Sequence, residues 1–140
     1  YQSVDAELLA RAIAWVTTRP ACANNAFNIT NGDYMRWENF WPRVAAFFDM
    51  KPGAVVTAKL ADTMKEKAPV WDAVTAQHKL APTPYPSPAV WSYADFNWLR
   101  GQDKMSDTMK LRLTGFTGCM DTEEMYIDHL RILRESRVIP

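Results

Sequence analysis

The chain has 140 residues, 48% of them apolar and 23% charged, and its sixteen basic and sixteen acidic side chains cancel. That length is enough for one domain with a real core. A neutral chain without a basic block gives no electrostatic reason to expect nucleic acid or an anionic membrane surface, and no apolar run approaches the ~20 residues needed to span a bilayer.

From the N-terminus, Ser3 is placed to cap a helix over residues 4–17. Asp5 and Glu7 fall in its first turn, where the positive end of the helix dipole favours acids. Leu8, Leu9, Ala12, Trp15 and Val16 recur at helical spacing, and Arg19-Pro20 ends the helix. Ala26–Thr30 reads as a short buried strand between Asn24-Asn25 and an Asn31-Gly32 turn. An aromatic helix over 37–50 follows, with Trp37, Phe40, Trp41, Val44 and Phe48 on one face and Pro42 early enough to be tolerated. Lys51-Pro52-Gly53 is a loop, and residues 54–60 are extended.

Residues 61–79 read as helix again, restarting at Ala68-Pro69, with Trp71 and Val74 continuing the buried face. Pro82, Pro84, Pro86 and Pro88 alternate, which forbids helix and favours a stiff extended crossing. Residues 90–99 carry Trp91, Tyr93, Phe96 and Trp98 on a predicted helix. Ser106 or Asp107 caps a short helix to about Leu113, closed by Gly115 at an expected positive φ, with Phe116 turned into the core. Asp121-Thr122-Glu123-Glu124 is a capping box for the last helix, which ends near Ser136.

Chemistry is scarce along this path. Cys22 and Cys119 lie far apart outside any CxxC pattern and read as reduced thiols. His78 and His129 have no ligand partner at metal-binding spacing, so no metal is expected. No Gly-x-Ser-x-Gly elbow or phosphate-cradling glycine loop occurs. Asn28-Ile29-Thr30 matches a glycosylation sequon but lies inside the apolar stretch. Glu123-Glu124 fits a helix start, and Lys65-Glu66-Lys67 a solvated face. From residues alone this is a mostly helical module, rich in aromatics, with no defensible catalytic group.

Four segments, "AFNITNGDYMRWENFWPRVAAFFDMKPG", "MKEKAPVWDAVTAQHKLAPT", "VWSYADF" and "MSDTMKLRLTGFTGCMDTEEMYIDHLRILRESRVIP", together resemble the C-terminal part of extended short-chain dehydrogenases/reductases. Within these the progesterone 5β-reductase/iridoid synthase group and its bacterial relatives look most similar. The resemblance implies a fold that is mainly α with one or two short strands. Residues 1–53 would be the remnant of a Rossmann-type α/β domain and residues 54–140 a helical substrate-binding lobe. The family's glycine-rich dinucleotide loop and Tyr-x-x-x-Lys catalytic pair would lie upstream of Tyr1. A chain starting without Met and running almost directly into a helix suggests a cut within a longer protein.

The resemblance further implies a whole enzyme that uses NADPH or NADH to reduce the double bond of an enone, acting on small carbonyl compounds in the cytoplasm. This chain would supply pocket wall and no catalytic residue. Tyr93 matches a substrate-facing aromatic position of the family, and Trp91 and Phe96 are its candidate neighbours, with Trp98 behind them. No cofactor is expected on this chain alone. Its expected partners are a small-molecule substrate, the N-terminal Rossmann domain and, for the isolated chain, a second copy through residues 26–48, with Phe27 and Ile29 or Trp37 and Phe40 at the contact. Two other readings stand beside this one. A free-standing helical binding module would have kept the lobe and lost the chemistry. A sugar epimerase or dehydratase fragment would need arginines for a diphosphate, and Arg100, Arg112 and Arg131 are not grouped to form such a set.

Overall fold

Asp5, not Ser3, starts the first helix. Its carboxylate accepts from the backbone N–H groups of Glu7 and Leu8, satisfying two donors that the first helical turn leaves unpaired. Ser3 is engaged elsewhere, its hydroxyl 2.8 Å from that of Tyr126. The computed structural model describes residues 1–85, 89–99 and 101–140. In chain order these hold α1 (Ala6–Thr17), a 3-10 turn (Pro20–Cys22), α2 (Trp37–Phe47), α3 (Leu60–Thr63), α4 (Ala68–His78), α5 (Trp91–Trp98), α6 (Met109–Arg112) and α7 (Thr122–Glu135). Pro86 and Pro88 of the expected proline crossing, and Arg100, lie outside the described residues.

The mainly helical expectation holds, but the expected strands are absent among the described residues. Residues 26–30 run without regular structure and make no backbone hydrogen bond to any neighbouring strand. A strand exists only with a partner for its N–H and C=O groups, and none lies alongside. The chain instead anchors just beyond, where Asn31 N–H donates to Ser3 O at 2.8 Å and Asn31 O accepts from Met120 N–H at 2.9 Å. Residues 51–59 are likewise irregular, with Val55 and Val56 exposed. The second helix closes at Phe47, three residues earlier than expected, because Asp49 turns into the left-handed region at φ 54° and Met50 N–H returns to Ala45 O.

Backbone contacts divide the chain into two compact units, Tyr1–Val44 with Asp103–Ile127 and Ala45–Gln102 with Asp128–Pro140. The division expected at 53/54 is one of descent and addresses a different question. In the first unit Leu8, Ala12, Leu111 and Phe116 form a buried cluster, with Trp15, Val16, Phe27, Ile29 and Met120 packed against it. Phe40 is also buried. Gly115 stands at φ +92° and Phe116 points inward at 8% exposure, as the glycine stop required. Asp121 does cap α7, accepting from Glu124 N–H at 2.9 Å. The return arm of the capping box is replaced: Glu124 and Glu123 both bind the Arg43 guanidinium, which raises its pKa further above the ordinary value.

The second unit is built from shorter elements. α3 and α5 pack together through Asp95, whose two carboxylate oxygens accept from Leu60 and Ala61 N–H at 2.7 and 2.9 Å. α4 restarts at Pro69 in its first turn, where the missing N–H costs nothing. It ends with Lys79 at φ 52° and Leu80 N–H donating to Thr75 O, which buries Leu80. Trp71 Nε1 donates to Thr83 O at 2.8 Å, and the Tyr85 hydroxyl donates to Met64 O.

Candidate functional site

The sequence singles out α5, and the structure sorts its aromatic residues onto different faces. Trp91 and Asp95 are spaced one turn apart, and both are partly buried. Tyr93 and Phe96 lie on the opposite side at i and i+3. Their rings stack at 6.4 Å between centroids and 25° between planes, and they remain 64% and 57% exposed. Trp98 is 41% exposed at the helix end. The three predicted residues are thus close in space but do not form one concave wall. Tyr93 and Phe96 make an open aromatic platform, and Trp91 lies on the other side of the helix, partly buried. The Trp91 indole N–H is buried without an acceptor among the described residues, an uncommon state for such a donor.

This platform offers contact, not acid–base chemistry. Asp95 is the only charged side chain of α5, and both its oxygens are engaged by the α3 backbone. An uncharged ligand with a flat or apolar body suits such a surface, since aromatic faces gain most from apolar area and edge or stacked contacts. No group of three His, Cys, Asp or Glu side chains able to hold a metal ion occurs among the described residues. His78 and His129 are both exposed, and both cysteines are free. No helix among the described residues is long and apolar enough to cross a membrane.

Among the described residues, clefts of the first unit lie away from α5. One, of about 500 Å³, runs between Tyr34–Glu38 and Asp103–Met105 beside Tyr1. Another, of about 430 Å³, lies between Trp15 and the Gly115–Gly118 turn. The first has the volume of a small-molecule pocket, but its Arg36 is paired with Glu38 at 3.2 Å and its walls combine both signs of charge.

Sequence reading missed the residues that organise the first unit. Asn31, 1% exposed, accepts from Asp5 N–H at 2.7 Å and donates to Thr122 Oγ1 at 3.0 Å and Met125 Sδ at 3.4 Å. Thr122, fully buried, donates from its N–H and hydroxyl to the two oxygens of Asp33 at 2.8 and 2.5 Å. A read of Asn31-Gly32-Asp33 as a mere turn hides this, because Asp5 lies 26 residues away and Thr122 and Met125 lie 89 to 94 residues away. The available signal was the second polar pair, Asp121-Thr122, at the far helix start.

No protein-family model matches the chain. Among curated proteins, (S)-8-oxocitronellyl enol synthase of Antirrhinum majus is 32% identical over 143 residues, covering 100% of this chain and 37% of its own length. The (S)-8-oxocitronellyl enol synthase of Catharanthus roseus is 29% identical over 99% of this chain and 36% of its own length. The short chain dehydrogenase gsfE of Penicillium aethiopicum is 33% identical over 96% of this chain and 40% of its own length. The chain therefore spans well under half the length of these relatives.

Proposed function

We propose, from the homology of this chain to the C-terminal part of short-chain dehydrogenase/reductase proteins, that it is the substrate-binding portion of an NAD(P)H-dependent reductase for small enone or carbonyl compounds. The observation that carries this reading is the alignment of essentially the whole chain with two enol synthases and a dehydrogenase. On this reading Tyr93 and Phe96 touch substrate, Trp91 lies on the other side of their helix, and the hydride donor and catalytic residues belong to the preceding part of the relatives' length. A cytoplasmic setting, where reduced nicotinamide is regenerated and free thiols persist, suits the same reading.

Three helix starts of this chain are closed to a dinucleotide pyrophosphate by the chain's own carboxylates. A pyrophosphate needs a helix N-terminus with free N–H groups. The N-termini of α1, α3 and α7 are each occupied by an aspartate of the chain itself: Asp5, Asp95 and Asp121 respectively, with Asp33 also on α7. A phosphate there would meet a carboxylate. No step is therefore assigned to the cofactor on these residues.

Two partners follow. One is the cofactor-binding domain. The other, for the chain alone, is a second copy through residues 26–48, where Tyr34 and Trp41 are 57% and 43% exposed. Phe27 and Ile29 pack against the first unit's own cluster, so the exposed rings are the better contacts. Calorimetric titration with NADPH and NADH tests the central reading. No saturable binding is expected, and saturable micromolar binding would overturn it. An intact mass of the expressed polypeptide separates a lobe of a longer reductase from a free-standing binding module.

A further inference from the structure

The fold contains an Asn-Gly pair that it can neither replace nor leave open. Asn31 must both accept and donate: its Oδ1 takes Asp5 N–H, and its Nδ2 serves Thr122 and Met125. Aspartate lacks the donor, and no apolar residue has either group. Gly32 is equally constrained. Its φ is +103°, and an added Cβ would meet Arg112 Nη2 at 2.7 Å and Cys119 Cβ at 3.4 Å. Together the two positions enforce the dipeptide most open to loss of its side-chain amide, because a glycine amide nitrogen is unhindered as a nucleophile.

We propose that Asn31-Gly32 is a latent modification site, protected by the fold and converted when the first unit opens. In the open chain the Gly32 nitrogen attacks Asn31 Cγ and a new C–N bond closes a cyclic imide. The Asn31 Nδ2 leaves as ammonia, taking up the proton that the Gly32 nitrogen gives up. Water then opens the imide at either carbonyl, leaving aspartate or isoaspartate at position 31. No oxidant or reductant is involved, and water is the only co-reactant.

The native geometry bars each step. The carboxamide is held at both ends, so Cγ cannot rotate toward the following nitrogen. That nitrogen donates to Thr30 Oγ1 at 3.2 Å. The main chain on either side is pinned by Asn31 N–H to Ser3 O and Met120 N–H to Asn31 O. At 1% exposure, Asn31 also has almost no access to water. Once formed, either product removes the donor to Thr122 and Met125 and puts an acid in a buried site whose bonds were made by a carboxamide. Isoaspartate also lengthens the backbone, so the two pinning bonds cannot both re-form. Conversion accumulates over the total time the unit spends open, and refolding does not reverse it.

The test is peptide mapping by mass spectrometry of the 140-residue chain, incubated at neutral pH either native or in urea. In urea the tryptic peptide ending at Arg36 should acquire the mass of an amide-to-acid conversion, placed by fragmentation at Asn31. In the native protein the conversion should be slower by at least about tenfold, since it requires local opening. Thr122→Val, which removes the acceptor of Asn31, should accelerate native conversion, and Thr122→Ser should not. After urea is removed, the fraction that refolds should fall in step with the converted fraction. Equal rates in native protein and urea would overturn the proposal. So would conversion confined to Asn24, Asn25 or Asn28, or converted chains that refold with an unchanged urea midpoint. Because the native-versus-urea comparison uses the wild-type chain, it stands even if Thr122→Val fails to fold.

Discussion

The two units close their helices differently. In the first, positive-φ positions at turns are taken by Gly32 and Gly115, with Asn24 as the one other case. In the second, Asp49, Lys79 and Arg137 occupy the left-handed region with full side chains. Burial follows the same division. The first unit holds the Leu8–Ala12–Leu111–Phe116 cluster and the Asn31–Thr122–Asp33 hub, whereas Leu80 is the one buried apolar residue described in the second. Met50, Val55, Val56, Tyr93 and Phe96 of the second unit are instead exposed. The difference lies in the core: the first unit packs one and the second buries little, while both leave large apolar side chains exposed, among them Ile13, Tyr34, Trp41 and Leu113 in the first.

The sharpest break of this comparison is at the hub. Asn31→Ala leaves Asp5 N–H without its acceptor and Thr122 Oγ1 without its amide donor, with only the Asp33 bond remaining to that hydroxyl, and should cost about 3 kcal/mol in urea denaturation. Tyr93→Ala, on open surface, should change stability by less than about 0.5 kcal/mol while weakening binding of an uncharged enone followed by tryptophan fluorescence. Equal stability costs for the two would erase the distinction between the units.

A second test adds atoms instead of removing them. A Cβ on Gly118 would lie 2.5 Å from Phe116 Cζ and 2.9 Å from Leu8 Cδ1. Gly118→Ala must displace the Phe116 ring, and should destabilise by about 2 kcal/mol. A thermal midpoint equal to wild type would mean that the cluster around Phe116 is looser than its burial indicates.

What the sequence made legible was local. Gly115, Asp121 and Pro69 carry their meaning within one helical turn; α4 and α7 lie close to where they were expected, whereas α6 is shorter and starts later, with Thr108 and neither Ser106 nor Asp107 at its N-cap. What it hid was long-range. Ser3 looks like a cap until Tyr126 takes its hydroxyl, and the strand at 26–30 had an apolar pattern but no neighbour. Asn31-Gly32 looks like any turn because its partners arrive from both ends of the chain. Lys79 and Arg137 in left-handed conformations carry no sequence signal, unlike Asn24 and Asp49, whose residue types are enriched there. The aromatic residues of α5 were visible as a helix, but their role came from resemblance, since periodicity alone does not separate a platform from a core.

Those left-handed ends provide the third test. Lys79 at φ 52° incurs the strain of a Cβ against the following carbonyl, while its N–H and that of Leu80 still close α4. Lys79→Gly relieves that strain and should stabilise the chain by about 1 kcal/mol, less the added freedom of the unfolded glycine. A loss of stability would show that the Lys79 side chain contributes contacts beyond its backbone geometry.

The smallest effect concerns the two kinds of ion pair. Arg43 joins α2 to the start of α7 across eighty residues of sequence, whereas Lys65 reaches only the Asp62 carboxylate three residues earlier. The hydrogen bond and charge of Lys65 hold the Asp62 carboxyl below its ordinary value of 3.8, and Asp62 raises Lys65 above 10.5. The signs set the window. The contribution from Asp62 is present above pH 3.8 and is lost as pH falls through its lower folded value; that from Lys65 is present below 10.5 and is lost as pH rises through its higher one. Both groups are exposed, so added salt should weaken the pair. In an NMR pH titration the Asp62 carboxyl should titrate below 3.8, and Lys65→Ala or high salt should return it toward that value. Arg43→Met, by contrast, should lower the urea midpoint by more than Lys65→Met, because it releases two carboxylates and a link between distant segments. If the two variants lose the same amount, the long-range pair gives the first unit no more than a local surface pair gives the second.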